Sequence, residues 1–293
     1  MSIRIYKQFR RNNIMLDGIP KKDYPKVFYN YFRELLDVLL GKTSLKLYLL
    51  KNYPSIFKNR IRFNDNEEIY CNGIKIIYNK RYEFISNPFD IIVGILLPLS
   101  GQYFIPECHV QRGDVVLDCG AYLGGFSIHA VMMGASKVYA FEPTPKTFEK
   151  LIELTQKFEK IIPVKKAIYS KNCIKEFQVF GDFEISEGNK IITNDLNNVD
   201  GKKITVECVS IDNFIKENNI SKVNFIKMDI EGAEREAIKG AKKTIKTFKP
   251  RMAISAYHLP NDKEIIPELV LSIRDDYRYK LVKRGYDLIA FFY

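Results

Sequence analysis

The sequence lacks a hydrophobic segment long enough to cross a membrane. Its longest stretch without a charged residue covers residues 91–106 and is interrupted by Pro98 and Gly101, whereas a transmembrane helix needs about 20 mainly apolar residues. The N-terminal residues are basic and contain no apolar run of the kind that forms a signal peptide. We therefore expect a cytoplasmic protein with no stable membrane insertion.

Closely spaced cysteines are also missing. The chain has five cysteines, and the nearest two, Cys108 and Cys119, are eleven positions apart, so no Cys-x-x-Cys pair occurs. This spacing argues against a zinc–thiolate site, a redox motif and a disulfide scaffold, and it favours a reducing compartment. The hydrophobic fraction of 46% and the charged fraction of 28% are those of a globular protein, and 293 residues can bury a large core.

Positive charge is concentrated near the N-terminus. Residues 1–62 contain 14 Lys and Arg against 4 Asp and Glu, a surplus of +10, so the other 231 residues carry only +1 of the net +11 (11 − 10). A solvated helical face is the simplest interpretation. An anionic surface, a phosphorylated substrate or a nucleic acid is the alternative partner. Nucleic acid is disfavoured because no recognisable binding module accompanies the charge.

Hydrophobic periodicity and turn residues divide the chain into three regions. They are a basic helical region at 1–66, a hairpin and helix cap at 67–109, and an α/β domain at 110–293. In the first region, helices are predicted at 24–40 and 44–50. In the second, Asn72-Gly73 lies between two β-rich runs and predicts a β-hairpin, and a short buried helix is expected at 90–97.

In the third region, short buried strands alternate with helices. This alternation is typical of βαβ units and predicts an α/β fold with a doubly wound parallel sheet. The strands are predicted at 115–117, 138–141, 161–168, 177–180, 205–209, 223–228 and 252–257, and the helices at 124–133, 144–160, 212–216, 233–248 and 264–275. A polar loop is predicted at 181–201, and a closing antiparallel pair at 279–282 and 288–292.

A glycine-rich turn follows the first of these strands. The segment Asp-Cys-Gly-Ala-Tyr-Leu-Gly covers residues 118–124, and Glu142 ends the next strand, 22 residues after Gly120. Ligands of open α/β sheets bind beyond the carboxyl ends of the strands. An acid at the second strand end is the usual anchor for the ribose of a nucleoside cofactor. A tight turn with incidental acids is the simpler alternative.

The turn differs from the dinucleotide fingerprint Gly-x-Gly-x-x-Gly. Tyr122 stands where that fingerprint has the glycine that lets the main chain approach a pyrophosphate, and Asp118 would repel phosphate. S-adenosylmethionine contains a ribose, lacks phosphate and carries ammonium and sulfonium groups, which favour a carboxylate-lined pocket. The turn therefore favours S-adenosylmethionine over NAD.

A second group of polar residues follows two later strands. Asp229 and Glu231 come directly after one strand and His258 after the next, so we expect all three at the rim that bears the glycine turn. His258 is the candidate general base because histidine titrates near neutral pH, with Asp229 orienting it or the acceptor and Glu231 in support. A divalent metal held by Asp229 and His258 is an alternative, but two ligands make a thin site, so no metal is expected. Glu234 is interpreted as a helix cap.

These segments together resemble the FkbM-type S-adenosylmethionine-dependent methyltransferases. The resemblance rests on residues 113–124, Ala-Phe-Glu-Pro at 140–143, Val-Ser-Ile-Asp-Asn-Phe at 209–214 and, most specifically, Phe-Ile-Lys-Met-Asp-Ile-Glu-Gly-Ala-Glu at 225–234 with Lys239-Gly240. It implies a class I methyltransferase domain at 110–293, with a seven-stranded Rossmann-like sheet whose last two strands form an antiparallel hairpin. It also implies O-methylation, commonly of a sugar or natural-product hydroxyl.

The resemblance further implies which residues bind the cofactor. Asp118, Gly120 and Gly124 would form the cofactor turn, and Glu142 would bind the ribose. The full set of expected cofactor-binding residues is Asp118, Gly120, Ala121, Tyr122, Gly124, Glu142, Pro143, Ala167 and Asp229. The family usually has asparagine at the position of Tyr122, so this chain departs from the pattern there.

We therefore predict an O-methyltransferase that acts on a hydroxyl of a sugar, glycan or other small natural product. The main alternative is an RNA methyltransferase that holds phosphate through its basic N-terminal region. The segment Asp-Ile-Glu at 229–231, in place of an Asn-Pro-Pro-type amide-nitrogen site, argues against it. A non-catalytic protein with a relic cofactor fold is a third alternative, which the acids and glycines at the expected strand ends disfavour.

Overall fold

The computed structural model describes residues 61–63, 69–71, 74–77, 94–95, 97–99, 101–179, 190–191, 202–284 and 287–293. The two helices predicted at 24–40 and 44–50 lie outside the described residues, as does almost all of the basic region. Strands and helices are numbered below in chain order.

The hairpin predicted from the β-rich runs before residue 78 is present and gains a third strand. β1 (Ile61–Phe63) pairs antiparallel with β2 (Ile69–Cys71), and β2 pairs antiparallel with β3 (Ile74–Ile77). β1 lies at the end of the region 1–66, beyond the two helices that were predicted there. Its Ile-Arg-Phe sequence suits a strand because branched and aromatic side chains fit a pleated surface.

Seven strands form the central sheet in the order β13-β14-β12-β11-β4-β5-β6. They are β4 (Val115–Cys119), β5 (Lys137–Phe141), β6 (Ile161–Val164), β11 (Phe225–Met228), β12 (Arg251–Ser255), β13 (Tyr279–Arg284) and β14 (Asp287–Phe292). β14 pairs antiparallel with β12 and β13, whereas the other neighbouring strands are parallel. This arrangement confirms the α/β class, the Rossmann-like sheet and the antiparallel terminal hairpin.

Helices pack on both faces of this sheet. They are α1 (Leu97–Leu99), α2 (Gly125–Met132), α3 (Pro145–Thr155), α4 (Ile211–Glu217), α5 (Glu234–Lys239), α6 (Lys242–Phe248) and α7 (Asp262–Ile273). Successive residues of β11 enter different apolar clusters, Phe225 with Phe126 of α2 and Ile226 with Ile238 of α5. Burial on both faces explains why the strand is almost wholly apolar. Among the described residues, no helix has the length and apolar character needed to span a bilayer.

Two helices are shorter than their patterns predict. The helix expected at 144–160 ends at Thr155, and the one expected at 233–248 is divided into α5 and α6 at Gly240. A Cβ at Gly240 would lie 2.3 Å from the carbonyl oxygen of Tyr169. The division therefore coincides with a close main-chain contact that helix periodicity does not reveal.

A second sheet interrupts the regular alternation. Its order is β7-β10-β8-β9, and its strands are β7 (Ala167–Ile168), β8 (Cys173–Val179), β9 (Lys190–Ile191) and β10 (Lys202–Val209). The single strand predicted at 161–168 is wrong, because β6 joins the central sheet and β7 joins this one. The loop predicted at 181–201 contains β9, and its other residues lie outside the described residues.

The segment before β4 belongs to the core of the α/β domain. Tyr103, Cys108 and Val110 are buried in the same apolar cluster as Phe126 of α2. Tyr103 also contacts Phe126 edge to face, with 5.5 Å between the ring centroids. This packing matters for the site because it brings Tyr103 to the carboxyl edge of the sheet.

Candidate functional site

The glycine turn joins the ends of three neighbouring strands. The N–H groups of Gly120 and Ala121 donate to the carbonyl oxygen of Phe141, at 3.1 and 2.8 Å, which ties β4 to β5. Gly120 has a φ of 80°, and a Cβ there would lie 1.9 Å from the carbonyl oxygen of Asp229. Only glycine meets both conditions. The turn and the acidic segment after β11 are therefore held in direct contact.

A buried ion pair lies beneath the turn. The Asp118 carboxylate accepts a hydrogen bond from Ser127 Oγ at 2.7 Å and lies 3.2 Å from Lys227 Nζ. Lys227 Nζ also donates to the carbonyl oxygen of Gly120 at 2.6 Å. Burial alone would lower the pKa of Lys227, but the carboxylates of Asp118 and Asp229 raise it above its ordinary value. Lys227 is therefore a cation inside the protein.

This ion pair defines the surroundings of Asp118, which was predicted to bind the cofactor as part of the turn. Its side chain is 0% exposed, and Lys227 neutralises it from within. Asp118 therefore supports the turn from below. Lys227 was not among the predicted site residues, although a single lysine in the apolar run Phe-Ile-Lys-Met signals a buried charge that needs a partner.

Glu142 lies beside the turn at the end of β5. The residue is 7% exposed, and its carboxylate accepts hydrogen bonds from the N–H groups of Thr144, at 2.8 Å, and of Tyr122. Burial raises the pKa of Glu142 to about 7, because these N–H groups and Lys227 offset only part of the desolvation. The structure thus places a carboxyl group that titrates near neutral pH next to the glycine turn.

The other predicted cofactor residues lie in or next to the glycine turn, except for Ala167, which lies in the second sheet. Tyr122 and Gly124 both have left-handed backbone conformations, with φ of 49° and 87°. That conformation is uncommon for tyrosine and more favourable for asparagine. Asparagine is the residue that FkbM-type methyltransferases usually have at the position of Tyr122. Ala121 is buried, and Pro143, directly after Glu142, is partly exposed. Ala167 is buried in β7, paired with Cys208 of β10.

Asp229, Glu231 and His258 come together at the ends of β11 and β12. His258 Nε2 lies 3.5 Å from Asp229 Oδ1 and 3.7 Å from Glu231 Oε1. Glu231 and Gly232 both have positive φ, 55° and 97°, which reverses the chain sharply after β11. We call these three side chains the acidic cluster. The structure thus brings together the three residues that were predicted as the catalytic group.

Glu234 holds the acidic cluster in place. Its carboxylate accepts hydrogen bonds from the N–H groups of Ile230 and Gly232, at 2.8 and 3.0 Å. Its Oε1 also lies 2.9 Å from His258 Nδ1. The interpretation of Glu234 as a cap captures its main-chain bonds at the start of α5. Its contact with His258 joins residues 24 positions apart, and no local pattern indicates it.

The charge of His258 differs from the expectation. Burial alone would lower the pKa of His258, but the carboxylates of Glu234, Glu231 and Asp229 raise it well above 6.5. In this arrangement the imidazole is protonated at neutral pH, so it is not the free base that an ordinary histidine pKa suggests.

Residues outside the motifs complete the wall of the site. Tyr103 Oη donates a hydrogen bond to Asp229 Oδ2 at 2.6 Å. Asp287, at the start of β14, accepts a hydrogen bond from Gln102 Nε2. Burial and the Asp229 carboxylate raise the pKa of Asp287 to about 6. None of these three residues was predicted, because each reaches the site through tertiary packing.

The segments that build this site recur in a known domain family. Residues 118–287 match the methyltransferase FkbM domain. The chain belongs to this family. The matched part of the FkbM domain runs from Asp118 in the glycine turn to Asp287 on β14, so it includes the acidic cluster and leaves out Gln102 and Tyr103. The family assignment from the sequence motifs is thereby confirmed.

Two similar proteins extend the comparison. The chain is similar to the hexuronic acid methyltransferase AglP of Haloferax volcanii, with 29% identity over 133 residues. These residues are 44% of this chain and 51% of the relative, so the chain spans about half the length of that relative. A crystal structure of methyltransferase FkbM from Methylobacillus flagellatus KT has a TM-score of 0.51 and 20% identity, over 84% of this chain and 60% of that one. This second similarity shows a shared fold.

Proposed function

We propose that this FkbM domain is an S-adenosylmethionine-dependent O-methyltransferase whose acceptor is a hydroxyl of a sugar or a related small molecule. One observation carries the proposal. The main chain of Gly120 in the turn lies directly against the carbonyl group of Asp229. A cofactor on the turn and an acceptor at the acidic cluster would therefore be neighbours, as direct methyl transfer requires.

The residues around the turn fit S-adenosylmethionine. Glu142 offers a buried carboxyl group at the second strand end, which is the usual position of a ribose anchor. Tyr122 occupies the place where a pyrophosphate would need glycine. S-adenosylmethionine supplies an electrophilic methyl group when it is bound. The other residues that would line its pocket are Gly120, Ala121, Gly124, Pro143 and Ala167.

Affinity for S-adenosylmethionine should depend on pH through Glu142. Ribose hydroxyls donate to the ionised carboxylate, and with a pKa of about 7 only about one-tenth of Glu142 is ionised at pH 6. We therefore expect binding to weaken by about tenfold as the pH falls from 8 to 6, measured by calorimetric titration. Glu142→Gln, which does not titrate, should bind with little pH dependence. Tight NAD binding with no response to S-adenosylmethionine would contradict the cofactor assignment.

The acidic cluster fits a hydroxyl acceptor. Although burial raises the pKa of Asp229, Lys227 and His258 lower it below its ordinary value, so Asp229 is ionised. Ionised carboxylates of Asp229 and Glu231 can orient an acceptor hydroxyl and take its proton, while protonated His258 balances their charge. The relative from Haloferax volcanii is named for a hexuronic acid, which supports a sugar acceptor. A uronate carboxylate would have to point away from the cluster.

The acceptor class can be tested with labelled S-adenosylmethionine and a panel of neutral hexosides, hexuronic acid glycosides and RNA. We expect label in a sugar and a product whose added methyl maps to a hydroxyl oxygen. Asp229→Asn serves as the control, because it should bind cofactor and transfer little label. Labelling of RNA alone would overturn the sugar assignment and favour the alternative in which basic N-terminal residues hold phosphate.

A further inference from the structure

A buried nitrogen of the acidic cluster has no hydrogen-bond partner. The His258 side chain is 5% exposed, and within the described residues its Nε2 atom makes no hydrogen bond. Asp229 Oδ1, 3.5 Å away, likewise makes none among those residues. Buried polar atoms are rarely left in this state, because such a group has lost its hydrogen bonds to water and gained none in the protein. The two atoms lie 3.5 Å apart, which is within ion-pair range but longer than an ordinary hydrogen bond.

The spacing of these atoms matches that of metal ligands. Each residue of the cluster offers one possible ligand atom, and these atoms lie within 4.8 Å of one another. The atoms nearest to each other are His258 Nε2, Asp229 Oδ1 and Glu231 Oε1. In a tetrahedral site, bonds of about 2.0–2.2 Å to a divalent metal place the ligand atoms roughly 3.3–3.6 Å apart. The observed separations of 3.5 and 3.7 Å lie at and just above the upper end of this range.

We propose that a divalent cation binds between His258 Nε2, Asp229 Oδ1 and Glu231 Oε1. Glu231 supplies the third ligand that the sequence interpretation lacked, since only Asp229 and His258 were considered as a metal pair. The role of the cation in catalysis rests on the proposed function, whereas its binding does not. One nitrogen and two carboxylate oxygens suit a metal such as Mn²⁺, Fe²⁺ or Zn²⁺ better than Ca²⁺.

The residues around the cluster orient the three ligand atoms. Glu234 Oε1 lies 2.9 Å from His258 Nδ1, which leaves Nε2 as the ring nitrogen that faces the cluster. Tyr103 Oη donates to Asp229 Oδ2, which leaves Oδ1 facing inward. Metal-binding histidines commonly have a carboxylate on the other ring nitrogen, and ligating carboxylates are commonly hydrogen-bonded in turn. Glu234 and Tyr103 are therefore positioning residues for the proposed site.

A cation at this place would also activate the acceptor. Three protein ligands leave coordination positions open, and the oxygen of an acceptor hydroxyl can occupy one of them. Coordination would lower the pKa of that hydroxyl, so its proton would leave to water in place of the carboxylates, which are then ligands. The oxygen electron pair would form the bond to the methyl carbon while the carbon–sulfur bond of S-adenosylmethionine breaks, and S-adenosylhomocysteine would leave as a neutral thioether. The cation would thus hold the acceptor oxygen beside the glycine turn.

Mn²⁺ binding to the full chain tests this proposal without cofactor or acceptor. Free Mn²⁺ is followed by electron paramagnetic resonance during titration of the wild type, Glu231→Gln and His258→Gln. We expect one saturable site per chain, weakened by about 10–100-fold or more in each variant. Glu264→Gln is the matched control, because Glu264 is exposed on α7 and, within the part of the chain that the structure describes, its ion pair is with Lys263; it should bind Mn²⁺ as the wild type does. Absence of saturable binding to the wild type, or equal binding by all four proteins, would overturn the proposal.

Companion measurements separate this proposal from the proposed function and from misfolding. S-adenosylmethionine affinity of Glu231→Gln should remain close to that of the wild type, which shows that the variant is folded. Glu234→Gln should weaken Mn²⁺ binding by about 10–100-fold through the orientation of His258. Site-specific Mn²⁺ binding in a protein that methylates no acceptor would refute the proposed function alone. Full methylation after chelation would refute the role of the cation in catalysis, whereas the Mn²⁺ titration alone decides whether the site binds it.

Discussion

Replacing Asp229 with asparagine is expected to lower the rate of methyl transfer by about 10²–10⁴-fold. Asparagine keeps the shape of the side chain and can still accept the hydrogen bond that Tyr103 Oη donates at 2.6 Å. It removes the charge that orients the acceptor hydroxyl, and with it an anionic ligand of the proposed cation. The rate should be measured in a single turnover at saturating S-adenosylmethionine, so that cofactor binding does not limit it.

Two further variants make this result interpretable. Asp276→Asn removes an exposed carboxylate that pairs with Arg274 at the surface, and its rate should equal that of the wild type. His258→Ala should lower the rate while cofactor affinity is preserved, because His258 lies at the acceptor side of the site. A near-full rate in Asp229→Asn would mean that the acceptor is activated elsewhere on the rim.

Replacing Lys227 with methionine should destabilise the protein by about 3–5 kcal/mol, because it leaves the Asp118 carboxylate charged, buried and unpaired. Methionine fills a similar volume, so the loss reports the charge and not a cavity. The Gly120 carbonyl oxygen also loses the donor that Lys227 Nζ provides at 2.6 Å. Urea unfolding of the full chain, followed by circular dichroism, measures the free energy of unfolding.

A second substitution and a surface pair serve as controls. Adding Asp118→Asn to Lys227→Met removes the unpaired charge and keeps an acceptor for Ser127 Oγ, so it should recover part of the lost stability. Lys166→Met breaks an ion pair with Glu207 in which the side chains are 39% and 69% exposed, and it should cost at most about 1 kcal/mol. A loss of that size in Lys227→Met would show that the buried pair contributes no more than an exposed one.

Regular patterns in the chain were sufficient to predict the frame of the site. Apolar runs such as Phe-Ile-Lys-Met can be strands only where both faces of the sheet are covered. Because these runs alternate with helices, the pattern predicts a parallel sheet with helices on both faces. Parallel strands end at one rim, so the placement of Asp229, Glu231 and His258 near the glycine turn followed from their positions directly after strands. The glycine-rich segment after the first strand likewise predicted a tight turn at Gly120.

Local structure was less predictable where distant parts of the chain meet. The strand expected at 161–168 divides between two sheets, and the helix expected at 233–248 is interrupted at Gly240, where the main chain of Tyr169 approaches closely. Hydrophobic periodicity reports which side of an element is buried. It does not report which partner buries it, so it cannot show where a strand changes sheets.

Only the tertiary structure decided the chemistry of the site. Tyr103 contacts Asp229, which is 126 positions away in the sequence. Lys227 contacts Asp118 and Gly120, which are more than 100 positions away. Contacts between such distant residues produce no periodic pattern in the sequence. The environment of each titratable group followed from the same packing. From the sequence alone, His258 was assumed to have the ordinary pKa of histidine. In the folded chain, the carboxylates of Glu234, Glu231 and Asp229 raise its pKa well above that value. Charges act through space, and their distances are set by the folded chain and not by the spacing of residues along it.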